Sequence, residues 1–257
     1  MENMAESIER RLTTAILRGE YVVGTRLPTV RELAVQFEVN PSTVHRALKG
    51  LEATRLIAPR RGSGVVVNDP NLVSDLSLMP AWIDALSDQP GKAATVLEEL
   101  LQIRRLVAAD LSARCRDKII KQAPRLRELA TVAHAVPKND IRSLRIADLA
   151  IAQFLRETIG HTVGQLVMNI MPQIYARVPE VEEACYYWTH KNNSFFFDLF
   201  DAIESIADED LLRKRIEEVF LEVDTVSVKR FKLLLTRRLK SNRTRPQQLP
   251  TGRLLSP

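Results

Sequence analysis

Two sets of polar side chains stand out by type and spacing. The first lies within residues 31–63. In VNPSTVHRALKGLEATRL, Ser42, His45, Arg46 and Lys49 fall on one side of a helical repeat, with Thr43 at its N-terminal edge. Val44, Ala47, Leu48 and Leu51 fall on the other side. Further on, Arg60 and Arg61 open the run RRGSG. Two arginines at the tip of a turn suit a phosphate or a narrow minor groove better than a core. The second set is scattered. Arg104, Asp148, His161, Asn169 and Tyr175 interrupt apolar helix faces and mark a candidate pocket. Each also has a plainer use. Asp148 and Arg104 would make a buried pair, His161 would cap a helix after Gly160, and Asn169 would satisfy a backbone group. The run FFFDLF (195–200) reads as core or dimer surface, and His134 and His190 fall in loops. No Ser/His/Asp set, Gly-rich phosphate loop or HExxH motif is present, so no catalytic residue is named.

The elements that must position the first set can be read locally. Ile8, Leu12, Ile16 and Leu17 predict an amphipathic helix over 6–18, closed by Gly19. Thr29 stands three residues before Glu32, a capping-box pattern that opens a helix over 30–37 with Arg31 on its free face. Leu33, Ala34 and Phe37 form its buried side. Asn40 suits an N-cap and Pro41 the first helical position, where no N–H is needed. Two short helices joined by a tight turn make a helix-turn-helix, and the second helix's start offers free N–H groups to a phosphate. Two β-prone runs around RRGSG then add a hairpin, whose glycines permit positive φ. The unit is a winged helix-turn-helix.

Beyond it the pattern is helical. Helices are predicted over 93–114, 119–136, 140–159, 163–177, 195–206, 210–223 and 225–239, with Pro124, Pro172 and Pro179 at kinks or ends. The fold class is mostly α: an N-terminal winged helix-turn-helix followed by an all-α bundle. The expected divisions are 1–70 for the winged unit, 71–90 for a linker that begins in turn-rich sequence, 91–239 for a ligand-binding and dimerisation bundle, and 240–257 for a basic, disordered tail.

Composition narrows the class. The 257 residues suit two ordinary domains. Aromatic content of 5% and 9 glycines argue against a sandwich or barrel. Two cysteines, Cys115 and Cys185, form no framework, so a reducing cytoplasm is the expected compartment. No long apolar run predicts a membrane span, and MENMAESIERR has no signal-peptide core. The net charge of +5 is unevenly spread. Residues 1–70 carry roughly +2, residues 71–225 roughly −6, and residues 226–257 roughly +9 with no acid. The basic stretch 229–245 reads either as a solvated helix face with a charged tail or as a sequence-independent contact to flanking DNA.

The segment GTRLPTVRELAVQFEVNPSTVHRALKGLEATRLIAPRRGSGVVV resembles the DNA-binding domain of the GntR family of bacterial transcription regulators. The resemblance rests on G-x-x-LP-x-x-RELA, V-x-x-x-TV-x-RAL and the RRGSG wing. It implies DNA contacts by Arg31, Asn40, Ser42, Thr43, His45, Arg46, Arg61, Gly62 and Ser63. Arg60 is expected to join them at the phosphates. Pro41 and His45 stand where many members have arginine, so the family's usual operator is not carried over.

Residues 90–225 resemble, more loosely, the FCD effector domain of the FadR branch, through VLEELLQIRRLVAADLSAR and ADLAIAQFLRETIGHTVGQLVMNIMPQIYARV. Many such domains hold a metal with one Asp and three His. Asp148 matches the Asp, but Ala152, Phe196 and the stretch 219–221 stand where histidines are expected. The resemblance therefore implies no metal, and no cofactor is expected. Asn169, Tyr175 and Arg177 are shared with the acyl-CoA-responsive type. The resemblance implies a homodimer on a pseudo-palindromic double-stranded DNA operator, tuned by a small carboxylate or acyl-CoA-like effector bound through Arg104, Asp148, His161, Asn169 and Tyr175. An architectural DNA binder or regulator without an effector is the alternative. Enzymatic activity is not expected, because the aminotransferase-like half found in some GntR proteins needs far more than the residues left here.

Overall fold

The computed structural model describes residues 3–186 and 190–244. The chain forms α1 (Met4–Leu17), α2 (Val30–Gln36), α3 (Pro41–Ala53), β1 (Ile57–Arg60), β2 (Gly64–Val67), α4 (Pro70–Val73), a single 3-10 turn (Leu76–Leu78) and α5 (Met79–Ala85). Then follow α6 (Pro90–Arg114), α7 (Arg116–Lys121), α8 (Ala123–His134), α9 (Ile141–Ile159), α10 (Thr162–Met168), α11 (Ile170–Arg177), α12 (Pro179–Cys185), α13 (His190–Ser205) and α14 (Glu209–Thr244).

The first three helices close on Ile8, Leu12, Ile16, Leu33, Ala34, Val44, Ala47, Leu48 and Leu51. Local chemistry sets their ends. The Glu32 N–H donates to the Thr29 hydroxyl (3.3 Å) and the Thr29 N–H to the Glu32 carboxylate (2.7 Å), which fixes the start of α2. Glu38, at φ 55°, makes the tight turn into α3. β1 and β2 pair antiparallel from Ile57 opposite Val67 to Arg60 opposite Gly64. The other edge of β2 takes bonds from the loop before α2: Gly24 and Leu27 donate to Val67 and Val65, and Val67 donates to Thr25.

The stretch expected as a linker, 71–90, is largely helical. Its apolar residues are divided between two cores. Leu78 and Ala81 join the core of the winged unit, while Ile83 and Leu86 join the bundle's. A short amphipathic segment with apolar residues on two faces carries no long period, so the sequence pattern hid it. Arg18 at the end of α1 locks the joint: its Nε donates to the Ala85 carbonyl (2.7 Å) and a terminal nitrogen approaches Asp88 (3.3 Å).

The bundle is organised on two long antiparallel helices, α6 and α14. At one end Arg213 meets Asp110 (3.3 Å). Midway, Arg104 and Arg105 both bond Asp224, the latter at 2.9 Å. At the other end Phe231 and Leu235 share a core with Ala93, Ala94 and Leu97. Helices predicted separately over 210–223 and 225–239 are thus one continuous helix. Asp224 breaks the apolar stripe in sequence, yet it is buried and paired. That helix runs on to Thr244, past the expected start of the tail, and residues 245–257 lie outside the described residues. Conversely, two predicted helices are split, at Gln122 and at Asn169, and α12 was not predicted.

Candidate functional site

One surface of the winged unit gathers its polar groups. The start of α3 is capped in backbone geometry by Asn40, but the Asn40 side chain makes no capping bond. Its amide therefore remains available at the exposed helix start. Arg31, Asn40 and Thr43 line one shallow groove with Val35, Glu38 and Pro41. Ser42, His45 and Arg46 are exposed on the outer side of α3, and Thr43 is half-buried. The wing tip presents Arg60, Arg61 and Gly62 to solvent, with Ser63 half-buried. The turn closes through Ser63 N–H to the Arg60 carbonyl (2.8 Å), with Gly62 and Gly64 both at φ 74°. Arg26 was missed in sequence. Its guanidinium donates to the Gly62 carbonyl (3.3 Å), and its backbone bridges Val66. It positions the wing, and its partner's distance along the chain kept that role hidden.

The scattered second set converges in part. A partly open chamber is lined by Arg104, His134, Asp148, Tyr175, Cys185, Tyr186, Phe195, Phe196, Phe197 and Asp224, among others. A second shares Arg104, Asp148, Phe195 and Phe196 and runs between α6, α9 and α10 to Arg156, His161 and Gln165. Its walls are mostly apolar, including Val107, Leu111, Leu155, Met168 and Phe220. Gly164 lets α10 approach α6, since a Cβ there would lie 2.4 Å from Leu111 Cδ1.

The pairing differs from the expected one. Arg104 is neutralised by Asp224, and Asp148 accepts a hydrogen bond from the Tyr186 hydroxyl (2.7 Å). Burial pushes the Asp148 pKa up, against the pull of Tyr186, Arg104 and Arg156. Burial also opposes the Arg104 charge, but nearby acids, Asp224 first, outweigh it and hold its pKa above the ordinary value. Burial lifts the Cys185 thiol to about 11, which keeps it protonated at neutral pH. Two donors are left over. The buried Nε of Arg104 has no partner. Arg156 is half-buried, and burial lowers its pKa.

The structure places the remaining expected residues as follows. Asn169 is exposed at the joint of α10 and α11 and lines neither chamber, because the helix breaks there and turns it outward. His161 caps α10, as its place after Gly160 suggests, its Nδ1 accepting from the Gly164 N–H (3.0 Å), and it also lines the second chamber. The phenylalanines of FFFDLF divide: Phe195, Phe196 and Phe197 line the first chamber, whereas Phe200 is buried core. His134, expected in a loop, ends α8 and packs edge-on to Phe197 (5.7 Å). The side chain of His190 lies outside the described residues. A metal does not fit beside Asp148. Ala152, Phe196 and Phe220 line the cavity there, and none has a lone pair to give a cation. Among the described residues no three His, Cys, Asp or Glu groups converge.

A winged helix-turn-helix joined through a shared helix to an all-α bundle defines a class of two-part proteins. The model of the bacterial regulatory proteins, gntR family, matches residues 4–67. The HTH-type transcriptional repressor YtrA of Bacillus subtilis is 38% identical over 110 residues, covering 41% of this chain and 85% of that protein. An uncharacterized HTH-type transcriptional regulator of Mycobacterium tuberculosis is 36% identical over 103 residues, 40% of each protein. The repressor NanR of Klebsiella aerogenes is 23% identical over 210 residues, 81% of this chain and 78% of that protein. The chain belongs to the gntR family of bacterial regulatory proteins. The matched stretch spans less than half the length of the Mycobacterium relative. No helix among the described residues is long and apolar enough to cross a membrane.

Proposed function

We propose that the protein is a transcription regulator of the FadR branch that binds a pseudo-palindromic operator as a homodimer and releases or grips it in response to a small molecule in the bundle. The observation that carries the DNA reading is the joint exposure of the α3 start and the arginine-tipped wing on a folded, well-packed support. Arg31, Arg46, Arg60 and Arg61 supply phosphate contacts, and Asn40, Ser42, Thr43 and His45 face base edges. Arg61, Gly62 and Ser63 enter the adjacent groove.

The effector reading rests on the paired chambers. An anionic ligand with an apolar body, a carboxylate or an acyl-CoA-like molecule, matches apolar walls beside the unpartnered Arg104 Nε and the half-buried Arg156. Tyr175 of α11 lines the first chamber. Two residues on, Arg177 approaches Asp84 of α5 (3.4 Å), and α5 packs against α1. A ligand that prefers one position of α11 thereby biases the head. The test selects DNA sites from a random pool with the full chain, then titrates carboxylates of increasing chain length against the selected duplex. A selected half-site repeat and a ligand-dependent change in affinity are expected. Recovery of no preferred sequence sinks the regulator reading. Sequence preference with no response to any ligand favours the effector-free alternative.

A further inference from the structure

The last turns of α14 are not used by either site. Lys229, Lys232, Arg237 and Lys240 are all exposed, and at 100° per residue they fall within an arc of roughly 140°. The buried Phe231 and Leu235 occupy the opposite side. Arg230 and Arg238 lie to one side of the stripe and are already engaged, with Glu183 and Glu180 of α12. Lys229, Lys232 and Arg237 meet no carboxylate among the described residues, and α14 has no acid after Asp224. The like charges of Lys229, Lys232 and Arg237 on one face repel each other. A polyanion would relieve that repulsion.

The position of the stripe singles out which polyanion. α14 runs antiparallel to α6, and its Leu235 is level with the α6 N-terminal turns. From Leu235 to Thr244 the helix extends a further stretch of about 13 Å past that level. This is the end of the bundle where α5 joins the head: Ile83 and Leu86 share the core that holds Phe231 and Leu235, while Leu78 and Ala81 of the same segment enter the head's core. The remainder of the bundle is acid-rich. The molecule is therefore electrically polarised, with its basic helix face on the same end as its reading head.

We propose that this face is a second, sequence-independent DNA contact, which grips backbone phosphates flanking the operator while the winged unit reads it. The inference rests on the DNA reading above. Each cation that neutralises a phosphate adds about 0.9 to the slope of log affinity against log salt. The face therefore adds affinity on long duplexes at low salt and none on a duplex trimmed to the site.

The test uses the full chain with Lys229→Gln, Lys232→Gln and Arg237→Gln combined, and a second variant with the same three positions changed to Glu. The probes are a selected operator embedded in a 50-bp duplex, of the order needed for flanking contact, and the same operator trimmed to its minimal length. On the long duplex the Gln variant loses about 2 to 3 in salt slope and roughly tenfold or more in affinity at low salt, and the Glu variant loses more. On the trimmed duplex both match the parent. Unchanged slopes on the long duplex overturn the proposal. So does a loss that is equal on both duplexes, or a change of oligomeric state by light scattering, which would assign the face to a second copy of the chain. If no operator can be selected, the DNA reading itself has failed. If one is selected and the slopes are unchanged, only this proposal has.

Discussion

The winged unit and the bundle use polar residues in opposite ways. In the head, every expected contact residue lies on or near the surface, and the buried positions are almost purely apolar. In the bundle, the informative polar groups are turned inward: Arg104, Arg105 and Asp224 across α6 and α14, and Asp148 with Tyr186. A surface that reads an extended polyanion needs only a firm support, so function and stability are written on separate faces. A cavity must place polar groups inside a low-dielectric core, where each needs a partner. On the proposed effector reading, function and stability in the bundle therefore share residues.

The largest expected effect follows from that sharing. Asp224→Ala leaves two arginines without their common counter-ion and costs about 3–5 kcal/mol of stability. Chemical denaturation at neutral pH measures it, and a loss below about 1 kcal/mol would break the contrast. The matching change in the head behaves otherwise. Arg46→Ala is exposed, so it alters stability by no more than about 0.5 kcal/mol. As a phosphate contact, Arg46→Ala should weaken operator and random DNA equally. A loss of about 1–3 kcal/mol confined to the operator would move it to a base edge.

The same difference explains what was legible in the sequence. The head is encoded by neighbours. The Thr29–Glu32 box, the stripe Val44, Ala47, Leu48 and Leu51, and the RRGSG turn each specify an element within a dozen residues, and each is found as expected. Arg26 escaped because its partner, Gly62, is 36 residues away. The cavity is encoded by partners further off still: Arg104 and Asp224 are 120 residues apart, and Asp148 and Tyr186 are 38 apart. Read along the chain, Asp224 looked like a helix end. It proved to be a core residue whose charge is matched from another helix. Asn169 shows the converse, a polar residue in an apolar context that marks a helix joint and nothing more.

A pH measurement sharpens the role of Asp148. Burial raises its pKa in the folded protein above its ordinary value of 3.8. Below 3.8 both states are protonated and the group is neutral with respect to stability. As pH rises from there to the raised folded value, the unfolded chain ionises first, and stability falls. Above that window the cost is constant. Asp148→Asn keeps an acceptor for the Tyr186 hydroxyl and cannot ionise. It should be more stable than the parent at pH 7 and flatten the stability profile above pH 3.8. A variant with the parent's slope would place the titration elsewhere.

The smallest effect tests how far the head's local encoding extends. Glu38 turns the chain between α2 and α3 at φ 55°, a conformation that costs a residue with a Cβ. Gly62 adopts φ 74° at the wing tip with open space where a Cβ would lie. If backbone geometry alone decides at both places, Glu38→Gly gains up to about 1 kcal/mol, and Gly62→Ala loses a similar amount. The two should add, because the turns share no contact. The readouts also separate. Glu38→Gly raises the stability of the head and, with Glu38 beside Arg31 and Asn40 in the groove, removes a negative charge from the DNA-facing side. Operator affinity should then rise more than stability does, and the excess should shrink as salt is added. An excess that persists at high salt would mean that the turn repositions α3, and that support and reading surface are not as separate in the head as the contrast with the bundle requires.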